Sequence, residues 1–264
     1  QDRPISQTND NFSMQTLWIV LSIIVVLSVI LSSVLKGKHV KQQVRDLLNI
    51  SKQKVTKLLN EFRRKTFHLI GLLVPGIYYF GLKWDFLEKY NATLIVGLFA
   101  ISALSVDLLR LNSKKFNEFV LDKIGSIMRK KESNRISGST YYLIGSFFTM
   151  LLFNPTIAIV ALLFLDLGDL AAAMVGIPFG RTKVYHGKSL EGCIACFLTC
   201  VLIGITVFSH NVRLYEYITI FGAASATLTE LFIDMIDDNL TIPLVSGMVM
   251  TLAQWRLNTV IPLP

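Results

Sequence analysis

The chain has 264 residues, of which 52% are hydrophobic and only 17% charged. That balance leaves too little polar surface to coat a soluble core, so it excludes a soluble globular enzyme and indicates a polytopic membrane protein. The formal net charge of +8 raises the question of a nucleic-acid partner, which the placement of the basic residues answers.

Apolar stretches of about 20 residues are what a hydrocarbon core demands of a spanning helix. Eight such segments are predicted in chain order, at 16–35, 66–82, 91–106, 136–153, 155–175, 189–208, 217–233 and a short last one near 240–254. The first is too long for a signal-peptide core and lacks a small-x-small cleavage site, so it is expected to act as an anchor. After it, Val44, Leu47, Leu48, Val55, Leu58, Leu59 and Phe62 recur at helical spacing with lysines between them. Phe116, Phe119, Val120, Ile124 and Ile127 repeat the pattern. Segments 40–62 and 113–130 are therefore expected to be helices lying on the cytoplasmic leaflet. The expected fold class is all-α, a polytopic bundle of about eight transmembrane helices with cytoplasmic interfacial helices. Residues 1–62 are expected to form an anchor and a basic arm, and residues 63–264 a membrane-embedded catalytic domain.

Alternating the loops between the two sides gathers 21 of the 26 Lys and Arg residues on one side, in 36–65, 107–135 and 181–188. The other side holds Arg3, Lys83, Lys89, Arg213 and Arg256. This asymmetry makes the first side cytoplasmic and turns both termini outward. The positive charge is thus an orientation signal that also attracts anionic lipid, and no nucleic-acid partner is expected.

Asp166 and Asp169 stand inside the fifth apolar segment, roughly two-thirds of the way toward the cytoplasmic face at helical rise. Glu191 enters the sixth from that face, Glu230 lies late in the seventh, and Asp107 closes the third. Asp234, Asp237, Asp238 and Asn239 follow the seventh. Ionisable groups cost roughly 2.5–3.5 kcal/mol or more at the centre of a spanning helix, so a one-sided cluster calls for partners such as a metal, a lysine or water. The acids are expected to face one shallow cytoplasmic cavity, while the outer halves of the spans carry none. A transporter needs polar groups leading to both sides. An enzyme acting on a lipid headgroup needs them at headgroup depth on one side only, so the distribution favours an enzyme.

Carboxylates beside basic residues suit phosphoryl transfer, which uses magnesium and cations to neutralise phosphate charge. Asp166 and Asp169, three apart, would share a face of an α-helix and could share an ion. Gly168, Gly176 and Gly180 would let phosphates approach the backbone. Gly187-Lys188-Ser189 looks like the end of a P-loop, but that motif would need glycine at Thr182 and a preceding strand.

These residues carry a resemblance. "RRKTFHLIG", "DLLRLN", "MRKKE", "SGSTYYLIG", "DLGDLAAAMVGIPFG", "GKSLEGCIACF" and "TELFIDMIDDNLTIPLVSG" together resemble the family of dolichol kinases, phytol kinases and CTP-dependent diacylglycerol kinases. The fungal-type diacylglycerol kinases are the nearest in "DLLRLN", "MRKKE" and "DDNLTIP". The resemblance implies CTP as phosphoryl donor, with Mg2+ or another divalent cation, and phosphorylation of the diacylglycerol hydroxyl to phosphatidate at the cytoplasmic membrane face. It implies catalytic roles for Asp169, Lys188, Glu191 and Glu230. Nucleotide and phosphate contacts would come from Arg64, Lys65, Gly176, Gly180, Arg181, Lys188 and Ser189. Metal would be held by Asp169, Asp166 and Asp238, with His68, Asp107, Arg110, Asp237 and Asn239 as further candidates. Many relatives have Arg where Ile177 stands, and Arg181 or Lys183 is the expected replacement. The proton acceptor stays open among Asp169, Glu191 and Glu230.

Plainer readings stand beside these. Arg63, Arg64 and Lys65 would end almost any span on the cytoplasmic side. His68 reads as an interfacial histidine. Cys193, Cys196 and Cys200 share a helix face and read as small packing residues rather than a metal site. "LAAAMVG" serves helix packing as well as it serves a site. The same cavity would fit a kinase of an isoprenoid alcohol such as dolichol or phytol. A CTP:phosphatidate cytidylyltransferase and a lipid transporter are the further alternatives. The expected location is the endoplasmic reticulum or nuclear membrane, with a bacterial inner membrane as the alternative.

Overall fold

Three helices are long and apolar enough to cross a membrane: Lys89–Asn112, Pro155–Phe179 and Leu190–Phe208. They come from a computed structural model that describes residues 16–23, 25, 26, 28, 38–124, 128, 130–208, 215–233 and 236–260. Of their most apolar stretches, 67% is buried inside the protein for Pro155–Phe179, against 28% and 39% for the other two. Pro155–Phe179 is therefore the axis of the bundle. The outer face of Lys89–Asn112 presents Leu94, Leu98, Phe99 and Ile101 outward, as a lipid-facing helix should.

The axis begins where its sequence says it should. Asn154 caps it by accepting the Ile157 N–H at 2.9 Å, and Pro155 follows at the position where a missing N–H costs nothing. The first helical part, α7 (Pro155–Leu163), is sealed on every side, with Ile157 through Leu163 all buried. A π-helical turn, Phe164–Gly168, then leads into α8 (Asp169–Phe179). Around this axis stand α6 (Gly138–Leu152), α9 (Leu190–Phe208), α10 (Tyr215–Phe232) and α11 (Asp238–Val260). On the flank of α6 lies α4 (Lys89–Asn112), followed by α5 (Lys114–Ile124).

Eight spans were expected, and the three above meet both length and apolarity among the described residues. The second predicted span is not one continuous helix. Residues 66–82 are split among the end of α2 (Lys52–His68), a 3-10 turn at Leu69–Leu72, and α3 (Leu73–Lys83). Pro75 has no N–H to offer the carbonyl of Gly71 four residues back. The Tyr142 hydroxyl donates to that carbonyl instead, at 2.7 Å, and also lies 3.2 Å from Asp166 Oδ2.

The basic arm is part of the fold. α1 (Lys38–Leu48) turns at Asn49, whose φ of +49° suits an asparagine ending a helix. Val44, Ile50 and Phe62 then pack on Val55 and Leu59 of α2. Because α2 runs unbroken from Lys52 to His68, the expected boundary at 62/63 falls inside a helix. A two-stranded antiparallel hairpin, β1 (Lys183–Tyr185) and β2 (Lys188–Ser189), joins α8 to α9. No strand was expected there. Residues 16–23 are helical, with Trp18 buried against Tyr79 and Phe80; the rest of the predicted first span lies largely outside the described residues.

Candidate active site

A cavity of about 360 Å³ opens where α2, α8, the hairpin and the facing ends of α10 and α11 meet. On α8, Asp169, Ala172, Ala173, Gly176 and Ile177 line it. Their spacing of three and four puts them on one helix face. α2 contributes Lys54, Lys57, Glu61 and Arg64, and the hairpin contributes Lys183, His186, Lys188 and Ser189. Glu230 and Asp238 close the far side.

Two ion pairs fix the floor. Lys65 and Asp169, both buried, are in direct contact across α2 and α8. Lys188 donates to the backbone carbonyl of Glu230 and stands 3.5 Å from its carboxylate. At the wall, Arg64 is paired with Glu61 one turn earlier, and Lys54 donates to the carbonyl of Pro178 at 3.3 Å. Cations outnumber carboxylates on the lining, as a polyphosphate ligand requires.

The glycines serve close approach. A Cβ at Gly180 would overlap the carbonyl of Gly176 and the hydroxyl of Ser189, and one at Gly192 would lie 2.9 Å from the carbonyl of Ala172. Ser189 accepts the Gly192 N–H at 3.3 Å and donates to the carbonyl of Gly176 at 3.4 Å. Gly176, Gly180 and Ser189 thus hold α8, the hairpin and α9 together, while Gly176 and Ser189 also face the cavity. Small residues here serve the site and the packing at once.

Several expected site residues sit elsewhere. Glu191 does not line the cavity; its Oε1 accepts the backbone N–H groups of Arg181 and Thr182 at 3.0 and 3.1 Å, clamping the base of the hairpin. Of the two expected replacements for a cation at Ile177, Arg181 is exposed outside the lining and Lys183 lies on it. Asp166 is buried beside Tyr142 and Gly71, outside the cavity lining. A π turn carries more residues per turn than an α-helix, so positions three apart no longer share a face, and Asp166 is turned from Asp169. The expected Asp166, Asp169 and Asp238 metal set is therefore not assembled. Among the described residues no three His, Cys, Asp or Glu side chains converge into a metal-holding group. The side chain of His68 lies outside the described residues.

Asp107 and Arg110 build a separate locus. Arg110, 1% exposed, donates to Asp107 Oδ1, to Asn117 Oδ1 and to the carbonyls of Glu132, Ser133 and Arg135. Asp107 Oδ2 accepts from the Ser137 N–H and the Thr140 hydroxyl at 2.8 and 2.7 Å. The guanidinium is fully spent on folding the 130–137 segment, which leaves it no donor for a phosphate. The Asn239 side-chain amide donates to the carbonyl of Gly138 at 3.1 Å, and its backbone N–H donates to the carboxylates of Asp237 and Asp238 at 3.2 and 3.1 Å. Asp237 and Asn239 thereby fix the start of α11 against α6. Cys196 and Cys200 pack on Gly168 of the π turn, and all three cysteines are free.

Lys54, Lys57 and Glu61 were not among the expected site residues. Their stripe on α2 continues to Arg64 at steps of three and four, a signal that a purely interfacial reading assigns to solvent.

Comparison with known proteins supplies relatives. The chain is 30% identical over 221 residues to CTP-dependent diacylglycerol kinase 1 of Saccharomyces cerevisiae, covering 72% of each. It is 29% identical over 216 residues to the protein of the same name from Eremothecium gossypii, covering 72% of this chain and 66% of that one. An uncharacterized protein of Rickettsia prowazekii is 30% identical over 190 residues, 70% of this chain and 90% of that one. No protein-family model matches the chain, and no solved structure matches it significantly.

Proposed function

The chain belongs to the family of the CTP-dependent diacylglycerol kinases, and on that premise we propose that it transfers the terminal phosphate of CTP to the hydroxyl of diacylglycerol, giving phosphatidate at the cytoplasmic membrane face. The observation that carries this reading is the cation-lined cavity on the second half of the buried axis, where Asp169, Lys188 and Glu230 line one space and Lys65 pairs with Asp169 behind it.

In this reading Lys54, Lys57, Arg64 and Lys183 hold the polyphosphate, and Lys188 leaves Glu230 to neutralise charge on the transferring group. The diacylglycerol oxygen attacks the terminal phosphorus, the bond to the bridging oxygen breaks, and CDP leaves. Glu191 is occupied at the hairpin and Asp169 by Lys65, so Glu230 is assigned the hydroxyl proton. Magnesium needs only one or two carboxylates when nucleotide phosphates complete its shell, and Asp238 together with Asp169 Oδ1, the oxygen opposite the one Lys65 contacts, would fit that need. When bound it would supply charge neutralisation on the phosphates. An endoplasmic reticulum or nuclear membrane location is proposed from the fungal relatives, and the Rickettsia relative keeps a bacterial inner membrane in play.

The test offers detergent-solubilised protein γ-labelled CTP or γ-labelled ATP with diacylglycerol, dolichol or phytol. Label in phosphatidate from CTP supports the proposal. Label in a prenyl phosphate changes the acceptor and keeps the site. No labelled lipid overturns the kinase reading and favours cytidylyl transfer or transport.

A further inference from the structure

The hairpin between α8 and α9 turns through His186 and Gly187, with φ of +44° and +85°. Two left-handed residues in a two-residue loop are the geometry that Asn-Gly or Gly-Gly adopts with least strain. Residues other than glycine are uncommon there, and such positions concentrate at functional sites. The His186 ring lies parallel to that of Tyr185, with centroids 4.1 Å apart and planes 10° apart. Tyr185 in turn meets Phe232 of α10 edge-on at 5.4 Å. The result is an aromatic stack anchored on a helix at one end and carrying an exposed imidazole at the other. Among the described residues, His186 is the only aromatic ring on the cavity lining.

The rest of that lining answers the phosphates of a nucleoside triphosphate and leaves its planar base without a surface. Lys188, two residues beyond His186, belongs to the phosphate end, so the hairpin tip stands at the rim a base would reach. We propose that His186, backed by Tyr185 and Phe232, is the platform on which the nucleobase of the phosphoryl donor stacks. This rests on the reading of the cavity as a nucleotide site. Stacking accepts any base face, so the platform contributes affinity for nucleotides over bare polyphosphate, and base selection falls to other contacts.

Equilibrium binding of CTP and of inorganic tripolyphosphate to the full chain, in detergent, separates the two ends of the ligand. His186→Asn removes the ring yet tolerates the left-handed turn, and His186→Phe restores a ring. The Asn variant should raise the dissociation constant for CTP about five-fold or more, leave that for tripolyphosphate unchanged, and be rescued by Phe. Unchanged CTP binding in His186→Asn overturns the platform. Parallel weakening of both ligands also overturns it, since the turn would then be shaping the phosphate end. A wild-type protein that binds no CTP overturns the platform and the nucleotide reading together. If wild-type protein binds CTP in this pattern but phosphorylates no lipid, the platform stands and the kinase reaction falls.

Discussion

Lys65 and Asp169 form the most consequential contact beside the cavity, because both are buried and each is the other's countercharge. Removing one partner leaves an uncompensated charge and costs about 3–5 kcal/mol, whereas an apolar pair of similar volume is often neutral. Asp169→Asn and Lys65→Met should therefore each lower thermal stability in detergent and lower kcat by about two orders of magnitude or more. The double variant Lys65→Met with Asp169→Leu should regain stability and stay inactive. Phosphatidate formation by that double variant would show that the pair is structural only. Arg110 makes the opposite case: its donors all go to Asp107, Asn117 and backbone carbonyls. Its buried charge serves the 130–137 segment.

Among the elements, the hairpin depends on Glu191, whose one carboxylate oxygen holds two backbone N–H groups. An acceptor is required there and a charge is not, so Glu191→Gln should keep kcat within about ten-fold while Glu191→Ala, which loses both bonds, should fall further. A proton-transfer role would make Gln as damaging as Ala, and steady-state kinetics of the two variants distinguishes the cases. Part of this region is legible in the sequence: Asp169, Gly176, Lys188 and Ser189, expected to act together, all line one cavity, and Gly180 packs against Ser189 beside it. The sequence conceals what depends on local helix geometry and on distant packing. The π turn that parts Asp166 from Asp169 has no periodic signature. Glu191 reads as an intramembrane acid until the N–H groups of Arg181 and Thr182 are placed beside it. Lys54, Lys57 and Glu61 read as a solvated face because only the docking of α2 on α8 makes them part of a cavity lining.

For the whole molecule, the decisive asymmetry runs along the axis helix. Its capped start at Asn154 lies beside Phe153, whose carbonyl accepts from Lys89 at 2.9 Å. Its second half, from Asp169 about 22 Å along to Gly176 about 33 Å along at helical rise, carries the cavity. In the proposed topology Lys57 faces the cytoplasm and Lys83 the opposite side, which would set the cavity at the face that nucleotides reach. Single cysteines placed at Lys57 and Lys83, in a background with the three native cysteines replaced, should therefore react with an impermeant maleimide from opposite sides of sealed membranes. The Lys57→Cys site should also be shielded by CTP, because Lys57 lines the cavity, and the Lys83→Cys site should not. Labelling of both from one side would break the expected topology. Opposite-sided labelling with no CTP protection would keep the topology and move the nucleotide elsewhere, so one experiment tests the orientation and the site separately.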